Sequence, residues 1–181
     1  MEGNISVNIK SIRVKEHYEL VEKMMRGLHD SEKELFNKAE QWDNIRESYM
    51  RHVISCQEEN EGAFLVAYID NKPAGFIFGY IEEQDDSRIE VYTGDELYVS
   101  DGYVDPQYRK IGIYRKLNAA LEDIYIAKGV RRITRFTLTS NTRMQKLLES
   151  EGYSATRIIY EKWLEPDGKH IQQLGLEAPK E

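Results

Sequence analysis

Between Glu96 and Thr139 the sequence runs strand, turn, helix, strand, and that order leaves few folds open. Glu96 to Val104 reads as a strand. Pro106 has no N–H and disfavours helical geometry at Asp105, so the strand ends there and the chain turns. From Ile113 onward Ile113, Leu117, Ala120, Leu121, Ile124 and Ala127 recur at the i, i+3, i+4, i+7 spacing of a helix with one buried face. Val130 to Thr139, with Ile133, Thr134, Phe136, Thr137 and Leu138, is rich in β-branched residues and reads as a second strand. Two strands joined by a long helix are expected to run parallel, with a right-handed crossover. The turn before the helix then lies at the carboxyl end of a strand, where open α/β sheets bind ligands.

The flanking sequence adds elements to this unit. Val7 to Val14 alternates as a strand. Tyr18, Val21, Met24, Met25 and Leu28 follow at helical spacing, and a second helical region from about Ser31 to Cys56 breaks near Trp42 and Asp43. Ala63 to Ile69, the turn Asp70-Asn71-Lys72-Pro73, and Gly75 to Ile81 make a strand hairpin. Asn141 to Glu151 is a short helix capped by Ser140 or Asn141 and stopped by Gly152, and Tyr153 to Leu164 reads as a last strand. The order β, α, α, β, β, β, α, β, α, β predicts one mixed α/β domain over residues 1–164, a central sheet of about six to seven strands flanked by helices. Residues 165–181 are polar, hold Pro166, Gly168 and Pro179, and read as a tail.

Composition removes several function classes. At 181 residues and 40% apolar the chain suits a single core. Its longest apolar runs, Ala63 to Ile69 and Ala74 to Ile81, fall far short of the ~20 residues that span a bilayer, and its start shows no basic-then-apolar signal, so a cytoplasmic protein without membrane contact is expected. Cys56 is the only cysteine, and His17, His29, His52 and His170 show no ligand spacing; neither a disulfide nor a metal is expected. A net charge of −7 argues against a nucleic-acid partner. The average hides a separation of sign. Residues 82–105 hold nine acids against Arg88 alone, whereas residues 107–146 hold ten Lys and Arg against Glu122 and Asp123. A solvated face explains any one of these charges; two adjoining blocks of opposite sign suit a protein that meets a polyanion on one side and a cation on the other.

The basic block begins at the turn. Gly112 has a bare Cα, the first-turn N–H groups of the following helix are free, and Arg109, Lys110, Arg115 and Lys116 flank it, so the loop suits a diphosphate. A glycine in a strand-to-helix turn is equally explained by turn chemistry.

The residues that bear on this choice resemble the GNAT superfamily of acyl-CoA-dependent N-acetyltransferases, over roughly Ser6 to Leu164. Tyr103-Val104-Asp105-Pro106-Gln107-Tyr108, running into Arg109-Lys110-Ile111-Gly112-Ile113-Tyr114, is similar to the family's strand ending and pyrophosphate loop. Asn141 with Leu147, Glu149, Gly152 and Tyr153 resembles its second signature. The resemblance implies acetyl-CoA as cosubstrate, backbone amides of residues 109 to 114 on its diphosphate, pairing of the pantetheine arm with Tyr103 and Val104, a hydrogen bond from Asn141 to that arm, and a bulge in the strand that Gly102 could ease. It also implies an amine acceptor, a cationic small molecule or a protein, attacking directly in a ternary complex; a homodimer is left open. Two positions depart from the pattern. Tyr114 stands where the family prefers Gly or Ala, and Leu148 where many relatives carry a Tyr that protonates the departing thiolate.

An amine such as Lys has an unperturbed pKa near ~10.4, so acetylation needs a base, direct or through water. Asp101 and Glu96 are the candidate catalytic residues. Regular alternation puts them on opposite faces of the strand unless a bulge intervenes. A coenzyme A thiol can leave unassisted near neutral pH, and Tyr153 or Tyr160 could replace a Tyr at 148, although both also read as core or strand residues. Two alternatives stand beside the N-acetyltransferase: a non-catalytic acyl-CoA-binding or regulatory domain on the same fold, motivated by Leu148, and a nucleotide-phosphate binder of another α/β family, resting on the basic loop alone.

Overall fold

The computed structural model describes residues 6–84, 89 and 91–164. The polar tail 165–181, together with Asp85, Asp86, Arg88 and Glu90 of the acidic block, lies outside the described residues.

The first half is built on a hairpin. Asp70 and Asn71 adopt φ of 48° and 61°, the left-handed pair that joins two twisted strands tightly, so β2 (Ala63–Ile69) returns as β3 (Lys72–Glu82). β1 (Asn8–Ile12) adds antiparallel to the far edge of β2. Between them come a 3-10 turn (Val14–His17) and two helices, α1 (Tyr18–Lys33) and α2 (Trp42–Glu59). The helical break falls before Trp42, whose indole N–H donates to Glu22 of α1 at 2.7 Å and ties the two helices together.

β4 (Glu96–Val104) pairs antiparallel with β3, and after α3 (Ile113–Ile126) the chain returns as β5 (Ile133–Thr134), parallel to β4. The sheet order is β1-β2-β3-β4-β5. α4 (Thr142–Ser150) follows, with Asn141 as its cap: the side chain accepts from Met144 N–H at 3.1 Å.

Each face of the sheet has its own core. α1 and α2 cover Phe64, Val66, Phe76 and Phe78 with Val21, Met25, Met50 and Val53. α3 covers Leu65, Ile77, Leu97 and Val99 with Ile113, Leu117, Leu121 and Tyr125. β2 and β3 are therefore buried on both sides, which is why they read as continuous apolar runs.

Among the described residues the sheet has five strands, fewer than the sequence pattern suggests. The strand expected over Val130–Thr139 contracts to Ile133–Thr134, and the one expected over Tyr153–Leu164 is absent apart from an isolated bridge at Leu164. Ile158, Ile159 and Tyr160 stand exposed. Their β propensity has no covering layer to pack against, and without one it does not produce a ladder.

Candidate active site

The parallel pair β4–β5 holds together over only Leu97↔Ile133 and Tyr98↔Thr134. From Val99 to Val104, β4 keeps its pairing to β3, while β5 no longer pairs with its other edge. That edge offers backbone N–H and C=O groups to a ligand, the arrangement used when an extended chain adds to a sheet.

One irregularity sits in this open length. Phe78 pairs with Asp101 and Gly79 with Val99, so Ser100 is an extra residue, a β-bulge. The bulge reverses the alternation. Tyr98 and Tyr103 both pack toward α1 and α2, and Asp101 lies on that same face, where its carboxylate accepts from the Tyr49 hydroxyl of α2 and from Ser100 Oγ at 2.6 Å. Glu96 shares the parity of Tyr98, so the bulge puts both candidate carboxylates on one face.

Their surroundings differ. Glu96 is 1% exposed, with Arg132 Nη1 2.8 Å from its carboxylate. Asp101 is 6% exposed and bonded by neutral hydroxyls, and burial pushes its pKa up against the pull of those two hydrogen bonds and of His52. Glu32, near the end of α1, is raised as well, by desolvation and by the charge of Asp101. Burial raises Tyr98 to about 12 and pushes Tyr49 higher still, so both phenols keep their protons. Asp101 is thus a buried carboxyl group whose protonated form burial favours, held by two neutral hydroxyls.

At the end of β4, Asp105 caps a 3-10 turn (Pro106–Tyr108) by accepting from Gln107 N–H at 3.0 Å. The loop then takes Lys110 and Gly112 through left-handed φ of 70° and 82° into α3. A Cβ on Gly112 would meet nothing within 4 Å, so the space above the helix start is open. The first-turn N–H groups of Ile113, Tyr114 and Arg115 face it by helix geometry. Such groups suit an anion, and Lys110 and Ile111 stand exposed beside them. The family's small residue at 114 is replaced by a ring that turns away from this space. Tyr114 lies over Gly102, and its phenol oxygen accepts from Arg135.

Not every residue singled out from sequence faces the ligand space. Arg109 folds back: its Nε donates to the Val104 carbonyl at 2.9 Å, and its guanidinium lies 5.8 Å from the Tyr103 ring. The Val104 carbonyl expected to pair with pantetheine is therefore already engaged. Asn141 is committed through its oxygen to the α4 cap. A cavity of about 610 Å³ opens beside the β4–β5 pair, with Glu96, Tyr98, Phe136, Leu148 and Tyr153 in its wall. Glu32 carries no signal in the sequence, whereas Tyr49 reads there as one of the helical hairpin's core or pocket-lining residues, with Phe36, Trp42, Ile45 and Val53, and Arg135 as one charge of the basic block. Each stands in an ordinary helix or strand pattern, and only the tertiary packing brings it to β4. Among the described residues no group of three or more His, Cys, Asp or Glu is placed to hold a metal, and no helix is long and apolar enough to cross a membrane.

A mixed sheet with parting parallel strands, a bulge on the open edge and a glycine-led helix start at its mouth makes this a mixed α/β domain with an open strand edge. The chain belongs to the acetyltransferase (GNAT) family, whose model matches residues 21–153. Solved structures share the fold. An aminoglycoside N-acetyltransferase, AAC(6')-Iy in complex with CoA, is 21% identical, covers 90% of this chain and 98% of its own, and has a TM-score of 0.64. The BH1408 protein of Bacillus halodurans is 19% identical over 87% of this chain and 99% of its own, with a TM-score of 0.66. An aminoglycoside acetyltransferase from an uncultured soil metagenomic sample, in complex with sisomicin, is 19% identical over 88% and 95%, with a TM-score of 0.61. No curated protein sequence matches the chain.

Proposed function

We propose that this chain transfers an acetyl group from acetyl-CoA to a primary amine of a cationic acceptor, by direct attack in a ternary complex. The observation that carries the reading is Asp101, a buried carboxyl group brought by the Ser100 bulge onto the α1/α2 face of a strand whose other edge is open. When bound, acetyl-CoA supplies an activated acyl group. The α3 start would hold its diphosphate, and the free edge of β4 its pantetheine arm.

On this reading the acceptor enters from the α1/α2 face. Asp101 and Glu32 draw its ammonium group in, and Asp101 takes the proton that must leave nitrogen before it attacks, with Tyr49 and Ser100 fixing the carboxylate. A backbone N–H at the bulge stabilises the oxyanion, a contribution on the order of 3 kcal/mol when well aimed. Glu96 neutralises Arg132 and lines the cavity wall. Two structural neighbours are aminoglycoside acetyltransferases, one of them in complex with sisomicin, and aminoglycosides are cationic amines of this kind.

A thiol-release assay over polyamines, aminoglycosides, amino acids and Lys peptides tests the proposal: turnover with at least one cationic amine supports it. Tight ATP binding without CoA binding would refute it. The buried Leu148 and the occupied Val104 carbonyl favour a second reading, an acyl-CoA-binding domain without catalysis, for which CoA binds and no amine turns over.

A further inference from the structure

Arg135 joins the end of β5 to α3. It follows β5 directly, turns to the α3 side of the sheet, and lies half-buried between two rings, with Tyr114 at 5.6 Å and Tyr153 at 5.7 Å. It donates to Asn118 Oδ1 at 2.9 Å and to the phenol oxygen of Tyr114. Among the described residues no carboxylate pairs with it. The nearby Glu122 instead receives the Tyr153 hydroxyl at 2.5 Å and the Asn118 amide at 2.6 Å. The guanidinium is only partly withdrawn from water, and it stands in the wall of the cavity beside the β4–β5 pair.

The location gives that charge a use. Tyr114 lies so close to Gly102 that a Cβ there would stand 2.9 Å from both its Cε2 and its hydroxyl oxygen. Gly102 is two residues past the bulge, on the length of β4 that β5 has left. The phenol therefore sits on the α3 side of the open edge, opposite the side that holds Asp101. Because its oxygen accepts from Arg135, its own hydrogen is left to donate. Burial raises the Tyr114 pKa and Arg135 opposes that rise, so the phenol keeps its proton.

We propose that Tyr114 donates the proton to the departing thiolate, with Arg135 as the positioning residue that holds the ring and stabilises the phenolate. The inference rests on the acetyl-CoA reading above. As the carbon–sulfur bond breaks, its electron pair moves onto sulfur. The Tyr114 hydroxyl proton passes to that sulfur, giving the free thiol, and the phenolate regains a proton from water. The proton lost by the amine leaves separately through Asp101. On this assignment the phenol comes from α3 rather than from α4, where Leu148 lines the cavity together with Arg135.

The test compares the full chain with Tyr114→Phe, which keeps the ring over Gly102 and the stacking on Arg135, and with Tyr114→Phe/Leu148→Tyr. Calorimetry measures CoA against desulfo-CoA, and thiol release measures turnover. The wild type is expected to prefer CoA to desulfo-CoA. Tyr114→Phe should bind both alike and lose roughly 100-fold in kcat with little change in KM for acetyl-CoA, and the double variant should recover part of kcat. A Tyr114→Phe protein that keeps both the sulfur preference and a kcat within about threefold of wild type overturns the proposal alone. If the wild type binds neither CoA nor desulfo-CoA, the acetyl-CoA reading falls and the proposal with it.

Discussion

Gly102→Ala probes how tightly the α3 face closes over β4. Gly102 has extended strand backbone, so alanine is conformationally allowed there and by itself would stabilise by about 0.4–1 kcal/mol through the unfolded chain. The packing opposes it. The new Cβ would stand 2.9 Å from Tyr114 Cε2 and Oη and 3.2 Å from Cζ, and the ring is held in place by the hydrogen bond and stacking of Arg135. Forcing a methyl group into such a contact costs about 1–3 kcal/mol. The net expectation is a loss of roughly 0.5–2 kcal/mol, or a few degrees in Tm for a domain of this size. Urea denaturation of four proteins isolates the contact: wild type, Gly102→Ala, Tyr114→Ala and the double variant. With Tyr114 truncated, alanine at 102 should become neutral or stabilising, a coupling of about 1–3 kcal/mol. Equal effects of Gly102→Ala in both backgrounds would show that Tyr114 does not lie over Gly102, and would remove the basis for its assigned position.

Three further outcomes are expected. Asp101→Asn should lower kcat by about 100-fold or more in the thiol-release assay. Because the folded-state pKa of Asp101 is raised, the wild type loses stability as pH climbs from the ordinary carboxyl value through the folded one, so the Tm of Asp101→Asn relative to wild type should increase with pH; a flat difference would contradict burial of this group as an acid. Gly112→Trp places a side chain at φ 82° in the open space over the α3 start, and should weaken CoA binding roughly tenfold or more by calorimetry while the protein remains folded. Glu96→Gln removes the charge facing Arg132 and should destabilise by about 1–3 kcal/mol in denaturant while lowering kcat less than Asp101→Asn does; the reverse order of kcat effects would make Glu96 the base.

Local chemistry made much of the fold legible in advance. Pro106, Gly112 and the apolar spacing from Ile113 specify a strand, a turn and a helix from neighbouring residues alone, and Asn141 announces its cap by residue type. The Asp70-Asn71 turn fixes the β2–β3 pairing in the same way. The parallel β4–β5 pair follows because the α3 crossover permits little else. The strand expected over Tyr153–Leu164 failed for the complementary reason: its residues favour a sheet, but a strand exists only if a neighbour offers an edge and a layer covers its face.

The candidate site divides along the same line. The amino-acid sequence by itself determined the anion-binding helix start, since glycine, free N–H groups and flanking basic residues are adjacent in the chain. It also determined which carboxylates lie on the strand beside it. The tertiary structure decided how those carboxylates are partnered. One extra residue at Ser100 reverses the facing of Asp101, and Arg132, just before β5, pairs with Glu96. It also turned Tyr114 from an obstruction in a phosphate loop into a phenol held by Arg135 over Gly102. The physical reason is range. Turn and cap preferences act over a few bonds, whereas burial, ion pairing and the direction of a side chain depend on groups tens of residues away that meet only after the sheet has formed.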